Sequence, residues 1–145
     1  MKKWIMILLA VSVIVLTGPV TAISQGLGVI LGEPTGLSAK MWLGTNTAVD
    51  GAAAWSFGDN GGIHLHADYL FHKNDLLSFA SFYYGLGAKV VIINDLHLGV
   101  RIPLGLVHQL ENAPIDIFLE IVPGLNLIPS TGFGVNGGLG ARYYF

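Results

Sequence analysis

The sequence contains no cysteine, no run of basic residues and few charges of either sign. Without cysteine the protein has no disulfide framework, no catalytic thiolate and no cysteine-ligated zinc. Charged residues make up only 11% of the chain, and no cluster of lysine and arginine points to nucleic-acid binding. No apolar run reaches the about 20 residues that a membrane-spanning helix needs. The high apolar content, 52% of residues, therefore needs another explanation.

The N-terminal residues have the pattern of a secretory signal peptide. Lys2 and Lys3 form a basic start and precede an uncharged, mainly apolar core of twelve residues. Small residues ending at Ala22 then suit signal-peptidase cleavage. The core is too short to cross a bilayer as a helix, so a cleaved signal over residues 1–22 is favoured over the alternative, a retained membrane anchor. One domain, residues 23–145, remains, with five basic residues against nine acidic ones and a formal charge of −4.

The rest of the chain alternates between apolar and polar residues, as side chains do on the two faces of a β-strand. Glycine-rich turns divide it into segments of about the length of a tilted transmembrane strand. We predict eight strands: residues 25–32, 36–44, 48–57, 63–72, 79–91, 95–105, one that begins near 115, and 133–145. We expect the seventh strand to bulge or end at Pro123, because proline cannot donate a ladder hydrogen bond.

The charged residues follow this alternation. On the polar face of the predicted strands lie Lys40, Asp50, Asp68, Lys89, Arg101, Asp116, Glu120 and Arg142, whereas Glu33, Asp59, Lys73, Asp75, Asp95 and Glu111 lie in predicted turns. No charge falls on an apolar face. A soluble β-sandwich or a lipocalin-like barrel also alternates, but its solvated face needs far more charge than this.

This pattern predicts an all-β fold, an eight-stranded antiparallel up-and-down transmembrane β-barrel with its apolar face toward lipid. Eight strands enclose a lumen just wide enough to be filled by side chains. Inward glycines would leave room for long lysine and arginine side chains to cross it. Closure also removes sheet edges, whose unpaired backbone groups lipid does not tolerate.

Aromatic residues on the apolar faces fall into two groups if both chain termini lie on the periplasmic side. Near the periplasmic interface we place Tyr69, Phe71, Phe82, Tyr84, Tyr143 and Phe145, and near the outer interface Trp55, Phe57 and Phe133. Transmembrane barrels carry such girdles at both membrane boundaries. The alternative is that these aromatics are scattered through a soluble core.

Three segments carry a resemblance to a known group of proteins. The run LGVILGEPTGLSAKMW, the segment LHLHADYLFH and the ending GLGARYYF resemble a family of small, functionally uncharacterised bacterial outer-membrane barrels, similar in architecture to the outer-membrane protein A transmembrane domain. The resemblance implies fold and location. It also implies that Phe145, with an aromatic residue two positions before it, acts as the signal read by the barrel-assembly machinery. The predicted extracellular turns are shorter than those of usual small barrels.

The segment IHLHADYLFH also raises the question of a metal site. His64 and His66 lie two residues apart on one strand face, and Asp68 is a third potential ligand. All three share the polar face with residues that no metal would explain. We therefore interpret them as part of a hydrogen-bonded lumenal network comprising Lys40, Asp50, His64, His66, Asp68, Lys89, His97, Arg101, Asp116, Glu120 and Arg142. We predict no metal site and no cofactor.

No catalytic motif stands out. The Gly-x-Gly runs lack a following helix, and no local pattern joins serine, histidine and acid into a nucleophilic triad. The sequence predicts a non-enzymatic outer-membrane protein with a structural or envelope-integrity role, which contacts outer-membrane lipids and no nucleic acid. The alternatives are an enzyme that acts on outer-leaflet lipid, with His72 or His97 at the lumen mouth, and a narrow pore.

Overall fold

The computed structural model of the protein describes residues 24–32, 35–55 and 62–145. These residues form nine β-strands: β1 (Gln25–Gly32), β2 (Gly36–Trp42), β3 (Thr47–Trp55), β4 (Ile63–Lys73), β5 (Ser81–Ile93), β6 (Asp95–Arg101), β7 (Leu104–Gln109), β8 (Ile115–Ile128) and β9 (Gly132–Tyr144). In this part of the chain, no helix is both long and apolar enough to cross a membrane. The predicted signal peptide, residues 1–22, lies outside the described residues.

The strands pair antiparallel with their neighbours along the chain and close into a ring. β6 and β7 lie end to end between β5 and β8 and together form one wall segment, so the ring contains eight strands. Closure comes from β1 and β9, which pair over seven residues, from Gly26 opposite Tyr144 to Gly32 opposite Gly138. The prediction of an all-β, antiparallel, eight-stranded barrel is confirmed at this level.

Alternation along each strand assigns the side chains to the inside or the outside of the ring. In β8, Asp116, Phe118 and Glu120 are buried, whereas the residues between them are exposed. The register then aligns inward residues of neighbouring strands, so that Asp50 of β3 lies between Lys40 of β2 and Asp68 of β4. The polar face is therefore the inner face.

The sixth and seventh predicted strands need correction at two prolines. The expectation that Pro123 ends or bulges its strand was wrong, because β8 continues through it to Ile128. The interruption lies on the neighbouring strand instead, at Ile102 and Pro103, and that strand resumes as β7 as far as Gln109.

The backbone hydrogen bonds explain how Pro123 fits into a strand. The carbonyl of Pro123 accepts a hydrogen bond from the Ile102 N–H (2.9 Å), so the missing N–H of Pro123 points toward the same neighbouring strand. That neighbour is interrupted at this point. Because that strand is interrupted, no ladder hydrogen bond there requires an N–H from Pro123. On the other side of the interruption, Pro103 still accepts a hydrogen bond from the Gly85 N–H (3.1 Å).

Candidate functional site in the barrel lumen

The lumen has two differently filled parts. We call the end of the ring that carries Ser24 and Phe145 the terminal end, and the end that carries Gly32 and Asp95 the distal end. The closed half extends from the terminal end to the level of Asp68, and the open half extends from there to the distal end. The distinction rests on the burial of polar groups: the inward charged side chains of the closed half are almost fully buried, whereas His64, Lys89 and His97 of the open half are half-buried.

Arg142 of β9 joins three strands inside the closed half. Its Nη2 lies 3.1 Å from Asp50 Oδ2, and its Nε donates a hydrogen bond to Ser38 Oγ at 3.0 Å. The guanidinium stacks 3.9 Å from the ring centroid of Phe118. Arginine supplies several donors and a flat face, so it can satisfy a carboxylate, a hydroxyl and an aromatic ring at once.

Arg101 forms a second centre beside it. Its Nη2 donates to Glu120 Oε1 at 3.3 Å, and the other oxygen of Glu120 accepts a hydrogen bond from Tyr83 Oη at 2.8 Å. Arg101 Nε also lies 2.9 Å from Asp68 Oδ1. That last contact does not have hydrogen-bond geometry, since both atoms lack a hydrogen-bond partner. It is an electrostatic contact between buried opposite charges.

Lys40 and His72 form the layer nearest the terminal end. The Lys40 ammonium donates to His72 Nε2 at 2.8 Å and lies 4.4 Å from the ring centroid of Trp42. It also lies 5.5 Å from the ring centroid of Tyr83. An aromatic cage of this kind stabilises a desolvated cation. In the same layer Tyr144 donates a hydrogen bond to Asp116.

Glycines on neighbouring strands make room for the large rings of the closed half. A Cβ at Gly105 would collide with the ring of Tyr83, and one at Gly140 would collide with the ring of Phe118. The expected accommodation of a lysine occurs at Gly99, where a Cβ would meet Lys89 Cε at 2.7 Å, but Gly105 and Gly140 serve a different purpose. Here they accommodate aromatic rings, which fill more of the lumen than a flexible aliphatic chain does.

The open half is lined mainly by small residues and by partly exposed polar ones. A Cβ built at Gly134 would meet nothing within 4 Å, and at Gly132 it would meet only Asn126 Nδ2, at 4.0 Å. His64, Lys89 and His97 are half-buried in this region. Among the described residues Lys89 makes no ion pair.

The structure places the eleven residues of the predicted network in two groups. Seven are buried: Lys40, Asp50, Asp68, Arg101, Asp116, Glu120 and Arg142. The other four, His64, His66, Lys89 and His97, are of intermediate burial. Of the second group only His66 is paired with the first, its Nε2 lying 3.8 Å from Asp68 Oδ2. The network is therefore not continuous along the lumen.

Several residues of the lumen were not part of the predicted network. They are Ser38, Trp42, His72, Tyr83, Phe118 and Tyr144, all of which contact a charged member of it. The signal that could have found them was present, because each shares the alternation phase of its strand's charged residues. Phe118, for example, lies between Asp116 and Glu120 on the same face.

The predicted aromatic residues lie on the outer face toward the two ends of the ring. Near the terminal end, Phe71 stacks on Tyr84 with ring centroids 5.5 Å apart, and Tyr69 meets Phe71 edge-on at 5.2 Å. Phe82 stacks on Tyr84 at 6.1 Å, and Tyr143 and Phe145 are exposed at the same end of the ring, on β9 and directly after it. Toward the distal end, Trp55 and Phe133 are exposed. Phe57 lies outside the described residues, as do Glu33 and Asp59.

The outer face is less uniform than expected at the terminal end. Lys73 is the last residue of β4, and His108 is in β7, so both fall on the outward phase of their strands. This corrects the expectations that Lys73 lies in a turn and that no charge falls on an apolar face, and it adds a histidine to that face. The Nδ1–H of His108 donates to the carbonyl of Phe79, which ties it to the β4–β5 connection.

Three lumenal residues have the chemistry to hold a metal ion together: Asp50, His66 and Asp68. The sequence suggested His64 as the partner of the latter two, but the register brings Asp50 beside Asp68 instead.

No family model matches this chain, and no curated protein or solved structure matches it.

Proposed function

We propose that this protein is an integral outer-membrane β-barrel with a plugged polar lumen and a structural or envelope-integrity role. One observation carries the proposal: the burial of polar and apolar residues is inverted relative to a soluble protein. Phe133, Leu86 and Leu119 are 75%, 62% and 54% exposed, whereas Asp68 and Arg101 are 2% and 3% exposed.

The energetics of this inversion support a lipid environment. An apolar outer face of this extent would be an aggregation surface in water, since soluble monomers expose few apolar patches larger than several hundred Å². In a bilayer the same side chains contact the apolar hydrocarbon chains of the lipids. The closed ring also leaves no unpaired strand edge between β1 and β9, as hydrocarbon requires.

The packing of the closed half supports the plugged lumen. Leu70, Tyr83 and Phe118 are at most 1% exposed, and the paired charges lie between them. Paired and hydrogen-bonded charges can remain ionised in such an interior. Because this layer crosses the ring from β2 to β8, it favours a structural role over a water-filled pore, which belongs to much wider barrels.

The lipid-modifying enzyme receives less support. Among the outward positions of the described strands, the titratable groups Lys73 and His108 lie at the terminal end. With both termini in the periplasm, that end faces away from the outer leaflet. An enzyme acting on outer-leaflet lipid would need reactive groups near the distal end. Of the two histidines considered for it, His72 is buried beside Lys40 toward the terminal end, and His97 alone lies in the open half.

We further propose that residues 1–22 direct export of the protein. The barrel-assembly machinery then inserts it by recognising β9 and Phe145. The test is cell fractionation combined with heat-dependent gel mobility. We expect the protein in the outer-membrane fraction, shortened at its N-terminus, and migrating differently before and after boiling. Recovery as a soluble protein without detergent would contradict the proposal.

A further inference from the structure

Asp50, His66 and Asp68 bring three metal-ligating side chains together at the boundary between the closed and open halves. Asp50 and Asp68 are direct partners across β3 and β4, and His66 lies two residues before Asp68 on the same strand face. One ligand atom of each lies within 4.8 Å of the other two. Their side chains are only 3%, 6% and 0% exposed, in the order Asp50, His66, Asp68.

The two carboxylates keep oxygen atoms that no donor satisfies. Asp50 Oδ1 and both oxygens of Asp68 are buried and lack a hydrogen-bond partner. Arg101 approaches Asp68 without hydrogen-bond geometry, and the 3.8 Å from His66 Nε2 to Asp68 Oδ2 is too long for a hydrogen bond. Buried unsatisfied oxygens are unfavourable, and each such group in a folded protein calls for an explanation.

The charge of the closed half leaves room for a cation. Its three buried basic side chains, Lys40, Arg101 and Arg142, face four buried carboxylates, Asp50, Asp68, Asp116 and Glu120. Lys40 is moreover turned toward His72 and not toward a carboxylate. A buried carboxylate that lacks its full complement of positive partners is the kind of group that binds metal ions.

We propose that Asp50, His66 and Asp68 form a binding site for a divalent transition-metal ion such as Zn²⁺ or Mn²⁺. Two carboxylates and one neutral imidazole supply oxygen and nitrogen ligands of the kinds that such an ion takes. The imidazole nitrogen selects against Ca²⁺ and Mg²⁺, which take oxygen ligands. Together the three residues supply one histidine ligand and two carboxylate ligands, and water would occupy the remaining coordination positions of the ion.

The open half provides the route of entry. His66 lies at its inner end; the open half beyond it contains the half-buried His64 and His97 and the unfilled space at Gly134. His64 faces the same space one step nearer the distal end but is not among the three converging residues. The pair His64 and His66 therefore offers a matched comparison of two histidines on one strand face.

The experiment is a Co²⁺ titration of the detergent-refolded, chelator-treated protein, read by the visible absorption of protein-bound Co²⁺. We expect saturation at one ion per barrel and displacement of Co²⁺ by Zn²⁺. His66→Gln should weaken binding by about tenfold or more, because even changes around the ligands cost about 10–100-fold in metal affinity. His64→Gln should leave the titration unchanged.

His66→Gln is the informative variant because it removes a ligand without changing a buried charge. Asp50→Asn should also abolish binding, and heat-dependent gel mobility verifies that each variant has refolded. The absence of saturable Co²⁺ binding in the folded protein would overturn the proposal, and the two carboxylates would then share a proton. Equal losses in His64→Gln and His66→Gln would overturn it as well. Either failure leaves the proposed envelope role unaffected, since that role does not depend on a metal.

Discussion

The two halves of the lumen contain similar kinds of polar residues but satisfy them differently. In the closed half each arginine contacts a carboxylate and large rings fill the remaining space, as with Arg142, Asp50 and Phe118. In the open half Lys89 has no ion pair among the described residues, and Gly134 has nothing within 4 Å of a built Cβ. The same strand alternation produces both halves, so residue volume and pairing, not polarity, decide where the barrel is plugged.

The largest effect should come from removing a cation of the closed half. Arg142→Met leaves Asp50 buried without its partner, and breaking a buried pair in this way costs about 3–5 kcal/mol. The free energy of unfolding, measured by urea titration in detergent, should fall by that amount. The matched variant Lys89→Met should change it by less than about 1 kcal/mol, because Lys89 is half-buried and has no ion pair to lose among the described residues. Similar losses from both variants would show that the two halves do not differ energetically.

The next largest effect should separate the inside of the ring from its outside. Leu98 faces outward and the neighbouring His97 faces inward on β6. Leu98→Arg should destabilise the protein in lipid vesicles, because a lipid-facing cation costs up to about 2–4 kcal/mol at the bilayer midplane and less toward an interface. His97→Arg points into the open half and should have a much smaller effect. A tolerated Leu98→Arg combined with an unfolded His97→Arg would reverse the assignment of faces.

A smaller effect should distinguish the halves by volume alone. Gly140→Ala places a methyl group against the ring of Phe118, and overpacking of this kind costs about 1–3 kcal/mol. Gly134→Ala meets open space, so it should be neutral or stabilise by up to about 1 kcal/mol through the unfolded chain. Urea unfolding of both variants in the same detergent measures the difference. If both lose the same stability, the open half is as tightly packed as the closed one.

The smallest effect on stability should come from deleting Phe145, which is 67% exposed and makes one backbone hydrogen bond to Gln25 (2.9 Å). We expect its loss to change the free energy of unfolding in detergent by less than about 1 kcal/mol. The amount of folded protein in outer membranes should fall much more, because the proposed assembly signal is gone. Quantitative gel mobility in cells and after refolding compares the two. Equal losses would make Phe145 an ordinary packing residue.

The sequence was sufficient to predict the features that depend on local alternation. The bounds of β1 agree with the prediction, and the inward phase of Lys40, Asp50 and Arg101 could be read from every second residue. What failed depends on neighbouring strands. Pro123 is compatible with β8 only because the adjacent strand is interrupted at Pro103, and a single strand's sequence does not contain that information.

The prediction of the site was incomplete for the same reason, because its contacts depend on neighbouring strands. Phe118 fits into the lumen because Gly140 lies opposite it on β9, and Asp50 meets Asp68 because of the β3–β4 register. Parity along one strand indicates which way a side chain points. It does not indicate which residue of the next strand lies beside it, and the candidate metal ligands are defined by that second relation.

The contacts of Arg142 also link the two ends of the chain. Its partners Ser38 and Asp50 lie 104 and 92 positions earlier in the chain, on the first strands to be made. Contacts of such long sequence separation form late, because the intervening chain must be ordered first. Asp50 therefore stays hydrated and unpaired until β9 arrives beside β1. The contacts of Arg142 and the closure of the ring depend on the same strand, so an incomplete chain that stops before Arg142 lacks these contacts.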